Sequence, residues 1–396
     1  MKFNHRIGIL ICAVVLAPSL LFSQKKEMQT GDTTYYKSLI PEEKQGLLKN
    51  MSMIANMRFA ERNEFTDGDF TGSRFVNEQF RFEIKGQVTD KVYFRLRDRY
   101  TRAQTSESID NISRSTDMAY IRVDVTDWFN ISGGKMCASW GGIEFDMNPI
   151  DIYEYSDIVE YADNFLTGVR ANFKLNPKHS LTFEALDSRT KTFNELYGNQ
   201  PNVVVSKVPM AFVANWMGSM FNGKFNTIWA YAFHNEAENT NMHYLALGNQ
   251  VKLGKFTVEY DFQYSDEDLD RTTIVSNLIP DSLYAYSVKN TLYMGHWLHL
   301  HYRITKKWNV ALVGVWNIAD WKSTVDPLKT TNHISDSYQY IPTIEYYPFE
   351  NVNLRFYANW VGRTTMYSDY AKTRFGAKDF TTGRFAIGFV SPLGIF

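Results

Sequence analysis

From Met51 onward the chain repeats one pattern: short segments in which apolar and polar or charged residues alternate, with an occasional break such as Asp98, separated by turn-forming residues. Phe80, Phe82 and Ile84 interleave with Arg81, Glu83 and Lys85; Val92, Phe94 and Leu96 interleave with Arg95, Arg97 and Arg99. The same rhythm sets Ala119, Ile121, Val123 and Val125 against Tyr120, Arg122 and Asp124. It recurs where Val169, Ala171, Phe173 and Leu175 interleave with Arg170, Asn172 and Lys174, and where Val352, Leu354, Phe356, Ala358 and Trp360 interleave with Asn353, Arg355, Tyr357 and Asn359. A period of two is strand geometry, because successive side chains leave a strand on opposite sides. Each strand therefore has one greasy face and one charged face.

The pattern yields sixteen candidate strands between 51–60 and 380–390, with short turns such as Thr89-Asp90, Asn176-Pro177 and Asn222-Gly223. Longer connections are expected at 61–73, 102–115, 140–165, 188–210, 235–240, 265–287, 319–338 and 364–379. Alternating short and long connections describe an antiparallel meander. A soluble β-sandwich also alternates, but it buries its apolar strips in a partner sheet and seldom uses so many strands in one domain. The composition favours another solution. The 28 Phe, 24 Tyr and 9 Trp of this 396-residue chain are spread through strips too short for helical spans. A closed antiparallel transmembrane β-barrel needs only about 9 to 11 residues per crossing and tolerates no open edge in hydrocarbon. Tyr100, Tyr120, Trp128, Trp308, Trp316, Tyr346, Tyr347 and Trp360 are then expected in interfacial aromatic girdles.

Residues 1–23 read as a secretory signal: Lys2, His5 and Arg6 precede the apolar run Ile7 to Phe22, which Pro18 interrupts. Residues 24–50 are polar and read as a flexible periplasmic arm, or as a small helix over 42–50. The barrel is assigned to 51–396. Processing would leave Cys137 as the one cysteine, so no intramolecular disulfide can form. The formal charge of −1 lacks the basic footprint of a nucleic-acid binder. No P-loop, dinucleotide glycine pattern, CxxC or serine-hydrolase signature occurs, and no cofactor is expected. His299 and His301 share a strand face, but the sequence offers them no evident acidic or cysteine partner for a metal.

Gly133-Gly134-Lys135, followed by the run from Trp140 and Gly141-Gly142 through Glu144, Asp146, Asn148-Pro149 and Asp151 to Tyr153, resembles the signature segment of the phosphate-selective porin O and P family, in its Bacteroidetes branch. The resemblance implies a bacterial outer-membrane porin of about 16 strands, commonly a homotrimer, whose third loop folds inward to narrow a water-filled pore. Residues 140–165 would be that loop. Gly141 and Gly142 permit a sharp departure from the strand, Asn148-Pro149 stops further pairing, and 153–161 could pack on the inner wall.

Transport requires no catalytic group, only lumen charges that lower the entry cost of an ion without trapping it. Arg81, Lys85, Arg95, Arg97, Arg99, Arg122, Arg170 and Lys174 form a candidate pore-lining basic wall. The resemblance implies that such rows conduct phosphate or other small anions. Glu83, Asp124, Glu144, Asp146, Asp151, Glu154, Asp157 and Glu160 place opposing charge beside or within the loop, which argues for general anion or mixed hydrophilic solutes over strict phosphate preference. Ion pairing between wall and loop is a purely structural use for the same charges. The rival reading is a non-conducting barrel that acts in surface interaction or assembly.

Overall fold

The computed structural model describes residues 50–102, 108–284 and 286–395, so the expected signal and arm lie outside the described residues. The chain forms β1 (Met51–Thr66), β2 (Asp69–Thr89), β3 (Val92–Arg99), β4 (Thr116–Asp124) and β5 (Phe129–Cys137). The long connection that follows carries α1 (Ile143–Asp146) and α2 (Asp157–Tyr161) and leads into β6 (Phe165–Asn176) and β7 (His179–Asp187). After α3 (Phe193–Tyr197) come β8 (Val205–Met220), β9 (Phe225–Ala237), β10 (Thr240–Leu253) and β11 (Phe256–Leu269). The remainder is α4 (Ile274–Leu278), β12 (Lys289–Arg303), β13 (Trp308–Trp321), β14 (His333–Tyr346), β15 (Arg355–Tyr367), α5 (Asp369–Phe375) and β16 (Phe380–Gly394).

Every strand pairs antiparallel with its sequence neighbours, and β1 closes the ring on β16 in a register from Ile54 opposite Gly394 to Thr66 opposite Thr382. The described chain is thus a sixteen-stranded closed antiparallel barrel, as the alternation requires. The two faces separate as expected. Ile121, Val169, Phe183 and Ile387 are about half exposed on the outside, whereas Arg81, Glu83, Asn215 and Asp261, of the opposite parity, are buried. Closure explains both observations: one parity must point at the surroundings and the other at the barrel axis. No helix among the described residues is long and apolar enough to cross a membrane.

The strands run further than the apolar alternation marks them. Segments 61–73 and 235–240, expected as long connections, are mostly strand, closed by tight turns at Asp67-Gly68 and Glu238-Asn239. Asp67 (φ 50°), Gly68 (φ 91°) and Asn239 (φ 56°) adopt the left-handed backbone that two-residue hairpins demand. Most residues near these tips are polar, apart from the paired Phe65 and Phe70, so alternation fades where pairing continues. Two girdle expectations also need correction. Tyr120 and Tyr347 lie on the inner face: Tyr120 packs against the inner apolar cluster, and the Tyr347 hydroxyl donates to Glu345 at 3.2 Å. By contrast Tyr100, Trp128, Trp308 and Trp316 are exposed on the outside. There the Tyr340 ring lies over Gly362 and the Trp360 ring over Gly383, flat against the wall where any Cβ would clash.

Buried apolar residues of the strands and of the long connections pack together in one large cluster. Trp140 and Ile158 from the 138–164 connection pack with Leu166, Tyr244, Tyr293, Trp321 and Tyr370.

Candidate functional site

Residues 138–164 leave β5 and bond to inner-face residues of distant strands. The departure depends on two glycines. Gly141 (φ 79°) and Gly142 (φ 87°) are both left-handed; a Cβ on Gly141 would lie 2.9 Å from the Ala230 nitrogen, and one on Gly142 would lie 2.9 Å from Asp261 Oδ2. Only glycine permits both the turn and the close approach to the β9 and β11 wall. The Gly142 N–H then donates to the Ile228 carbonyl at 3.0 Å. The N–H groups of Ile143 and Glu144 donate to the two carboxylate oxygens of Asp261, each at 2.8 Å.

Glu144 closes the segment on itself. Its carboxylate accepts the Ser156 N–H at 2.7 Å, the Ser156 hydroxyl at 2.6 Å and the Gln263 amide at 3.1 Å. No cation pairs with it among the described residues, and burial pushes its pKa up to about 8 against those hydrogen bonds. Asn148 reaches the β1 wall through Asn56 at 3.3 Å. Buried Arg58 of β1 donates to the carbonyls of Ile150 at 3.0 Å and Ile152 at 2.5 Å, while pairing with Glu78 at 2.6 Å. Tyr153 packs on Tyr357 with ring centroids 4.7 Å apart. Trp140 stacks on His234 and donates from its indole to the Asp163 carbonyl.

Three acidic residues of the segment are ion-paired with late strands and not with the basic wall of the early strands. Asp151 pairs with Arg355, Glu154 with Arg384 at 3.0 Å, and Asp157 with Arg363 at 2.8 Å. All three arginines lie on β15 or β16. Burial pushes Asp157 up from the usual carboxylate range, and the Arg363 charge opposes this. Sequence reasoning singled out none of Arg58, Arg355, Arg363 and Arg384 as a site residue. Their parity was legible; which residues stood opposite them was not.

The early basic residues instead pair among their own strands. Arg81, Arg97 and Arg99 converge on one buried carboxylate, Asp117, at 2.8, 3.3 and 2.7 Å. Glu83 receives Lys85 at 3.2 Å and Arg95 at 2.9 Å. Phe165 lies under the Arg97 and Arg99 guanidinium groups at 5.3 and 5.7 Å. Arg122 stacks on Tyr93 at 4.6 Å and pairs with Asp124, and Arg170 pairs with Glu184 at 2.5 Å. Lys174 stands exposed near the short turn after β6, apart from these groups.

Between this wall and the 149–165 stretch lies a cavity of about 410 Å³. Arg58, Arg81, Arg99, Arg102 and Arg114 line it with Glu154, Glu160 and Asp163. Glu160 reaches solvent at its edge yet stands in crowded surroundings: burial and the Glu154 charge push its carboxyl up, and the Arg99 charge opposes them. Elsewhere on the inner face the His299 Nδ1 lies 2.7 Å from Glu259, an acidic partner the sequence did not reveal. Among the described residues, no group of three or more His, Cys, Asp or Glu side chains is placed to hold a metal.

A profile of the family described as "Phosphate-selective porin O and P" matches residues 59–389, nearly the whole barrel. The chain belongs to that family. Membership and fold together make it a porin of the bacterial outer membrane that acts by passive diffusion. Among solved structures it is similar to the outer membrane channel DcaP of Acinetobacter baumannii, at 13% identity over 86% of this chain and 96% of that one, with a TM-score of 0.60. It is also similar to Pseudomonas putida OprB, at 11% identity over 91% and 100% of the two chains, with a TM-score of 0.56. A Vibrio cholerae OmpT loop-deletion mutant gives 9% identity over 86% and 98%, with a TM-score of 0.53. At such identities the likeness is one of fold. A search of curated protein sequences finds no match.

Proposed function

We propose that this porin passes small hydrophilic solutes with a preference for anions, phosphate among them, and that residues 140–165 fold inward to narrow its lumen. The observation that carries the reading is the convergence of Arg81, Arg97 and Arg99 on Asp117 beside the 410 Å³ cavity. Three cations sharing one carboxylate leave positive potential facing the water, which raises the local concentration of anions without a covalent or metal-based trap. Lys85, Arg95, Arg122, Arg170 and Lys174 extend the pore-lining set toward the short-turn rim. The bonds from 138–164 to β1, β9, β11, β15 and β16 support the inward loop, because their partners belong to the inner parity. A homotrimer held in outer-membrane lipid belongs to the same reading, supported by family membership; crosslinking in native membranes tests it.

Single-channel recording of the reconstituted protein under a KCl gradient tests the anion preference. Stable open steps with a reversal potential on the chloride side are expected. Changing Arg95, Arg97 and Arg99 together to Gln should move that potential toward the cation side; unchanged selectivity removes them from the path. Absence of conductance in correctly folded barrel would favour the surface-interaction role instead.

A further inference from the structure

The cavity beside Asp117 is not uniformly basic. Its wall side carries Arg81, Arg99 and Arg102, and its loop side carries Glu154, Glu160 and Asp163. Most of these charges are committed: Arg81 and Arg99 to Asp117, Glu154 to Arg384, and Asp163 to Arg271 at 3.5 Å and to Thr190. Two are not. Among the described residues, neither Arg102 nor Glu160 forms a side-chain ion pair or hydrogen bond, and both are exposed at the cavity. One uncommitted cation on the wall side and one uncommitted carboxylate on the loop side give the cavity two poles. A simple anion gains from the first and is repelled by the second. A solute with opposite charges at its two ends gains from both when it lies across the cavity. The volume falls within the range of about 300–1,000 Å³ that holds small organic molecules.

We propose that this cavity is a selectivity site for zwitterionic solutes, whose carboxylate or phosphate end meets Arg102 and the Arg99 side while an ammonium end meets Glu160. Glu160 is then the specificity-determining residue: it separates zwitterions from plain anions of the same size. The proposal rests on the anion-preferring diffusion reading above and adds to it which anionic solutes pass best.

Tracer uptake into liposomes carrying the full porin tests this at pH 8, with 4-aminobutyrate and butyrate as probes of nearly equal size. The wild type should admit 4-aminobutyrate faster than butyrate. Glu160→Gln should slow 4-aminobutyrate and speed butyrate, lowering their ratio by about threefold, the weight of one partly screened charge contact. Opposite signs for the two probes cannot arise from a general change in pore width. Arg102→Gln should slow both. Heat-modifiable migration on a gel verifies that each variant is folded. A wild-type ratio below one, or a ratio that Glu160→Gln leaves unchanged, overturns the proposal. If the KCl reversal potential still shows anion preference in that case, only the zwitterion site falls; if that preference is itself missing, the underlying reading falls with it.

Discussion

Replacing Asp261 by Ala should release the start of the 138–164 segment from the wall. Asp261 accepts two backbone N–H groups, from Ile143 and Glu144, each at 2.8 Å and inaccessible to solvent. A hydrogen bond to a charged acceptor contributes about 1.5–3 kcal/mol, and removing the acceptor strands both donors. Relief of the buried carboxylate's own desolvation offsets part of this, leaving a net loss of about 3 kcal/mol. Since each 1.4 kcal/mol is tenfold, the docked state should open about 100-fold more often. Hydrogen exchange read by mass spectrometry should show that loss of protection in a peptide covering 141–147, with little change in the strands. Single-channel traces should show more frequent excursions to larger conductance. Asp261→Asn keeps one carbonyl acceptor and should lose about half as much on a logarithmic scale. If Asp261→Ala leaves both exchange and current noise unchanged, the two bonds do not anchor the segment.

The same segment should respond to pH through Glu144. Its pKa is raised to about 8 in the docked state from an ordinary value of 4.5, chiefly by burial. A raised pKa means that docking is fully favoured below the ordinary value and is progressively weakened as pH rises from there to about 8. Current noise should therefore grow between pH 5 and pH 9, and Glu144→Gln should flatten the dependence; an equal slope in the variant refutes the assignment. Arg355→Gln should destabilise more than an exposed arginine change would. It strips a buried partner from Glu345 and Asp151, at about 3–5 kcal/mol, measurable as a lowered temperature of heat-modified migration.

Much of this architecture was legible in the chain. The outward positions of Val169, Ile121 and Ile387 and the inward positions of Arg81, Glu83 and Arg95 follow from period two alone. Gly141-Gly142 marked where the backbone leaves β5, because no other residue accepts two successive left-handed positions against a wall. Legibility failed at the hairpin tips, where Glu61 to Thr66 pair although their sequence no longer alternates.

By itself, then, the sequence determined which face each side chain occupies and how many strands share the ring. Only the tertiary structure decided who faces whom. Alternation carries parity but neither height along the barrel nor position around it, so it could not say that Asp151 meets Arg355, 204 residues away, or that three arginines share Asp117. The first arises from closure, which brings β16 beside β1 and lets one connection reach strands from both halves of the chain; the second arises from the register of the neighbouring strands β2, β3 and β4. The expected pairing of acidic loop with early basic wall gave way for that reason. Asp151, Glu154 and Asp157 of the loop turned to β15 and β16, leaving Arg81 and Arg99 to face the cavity.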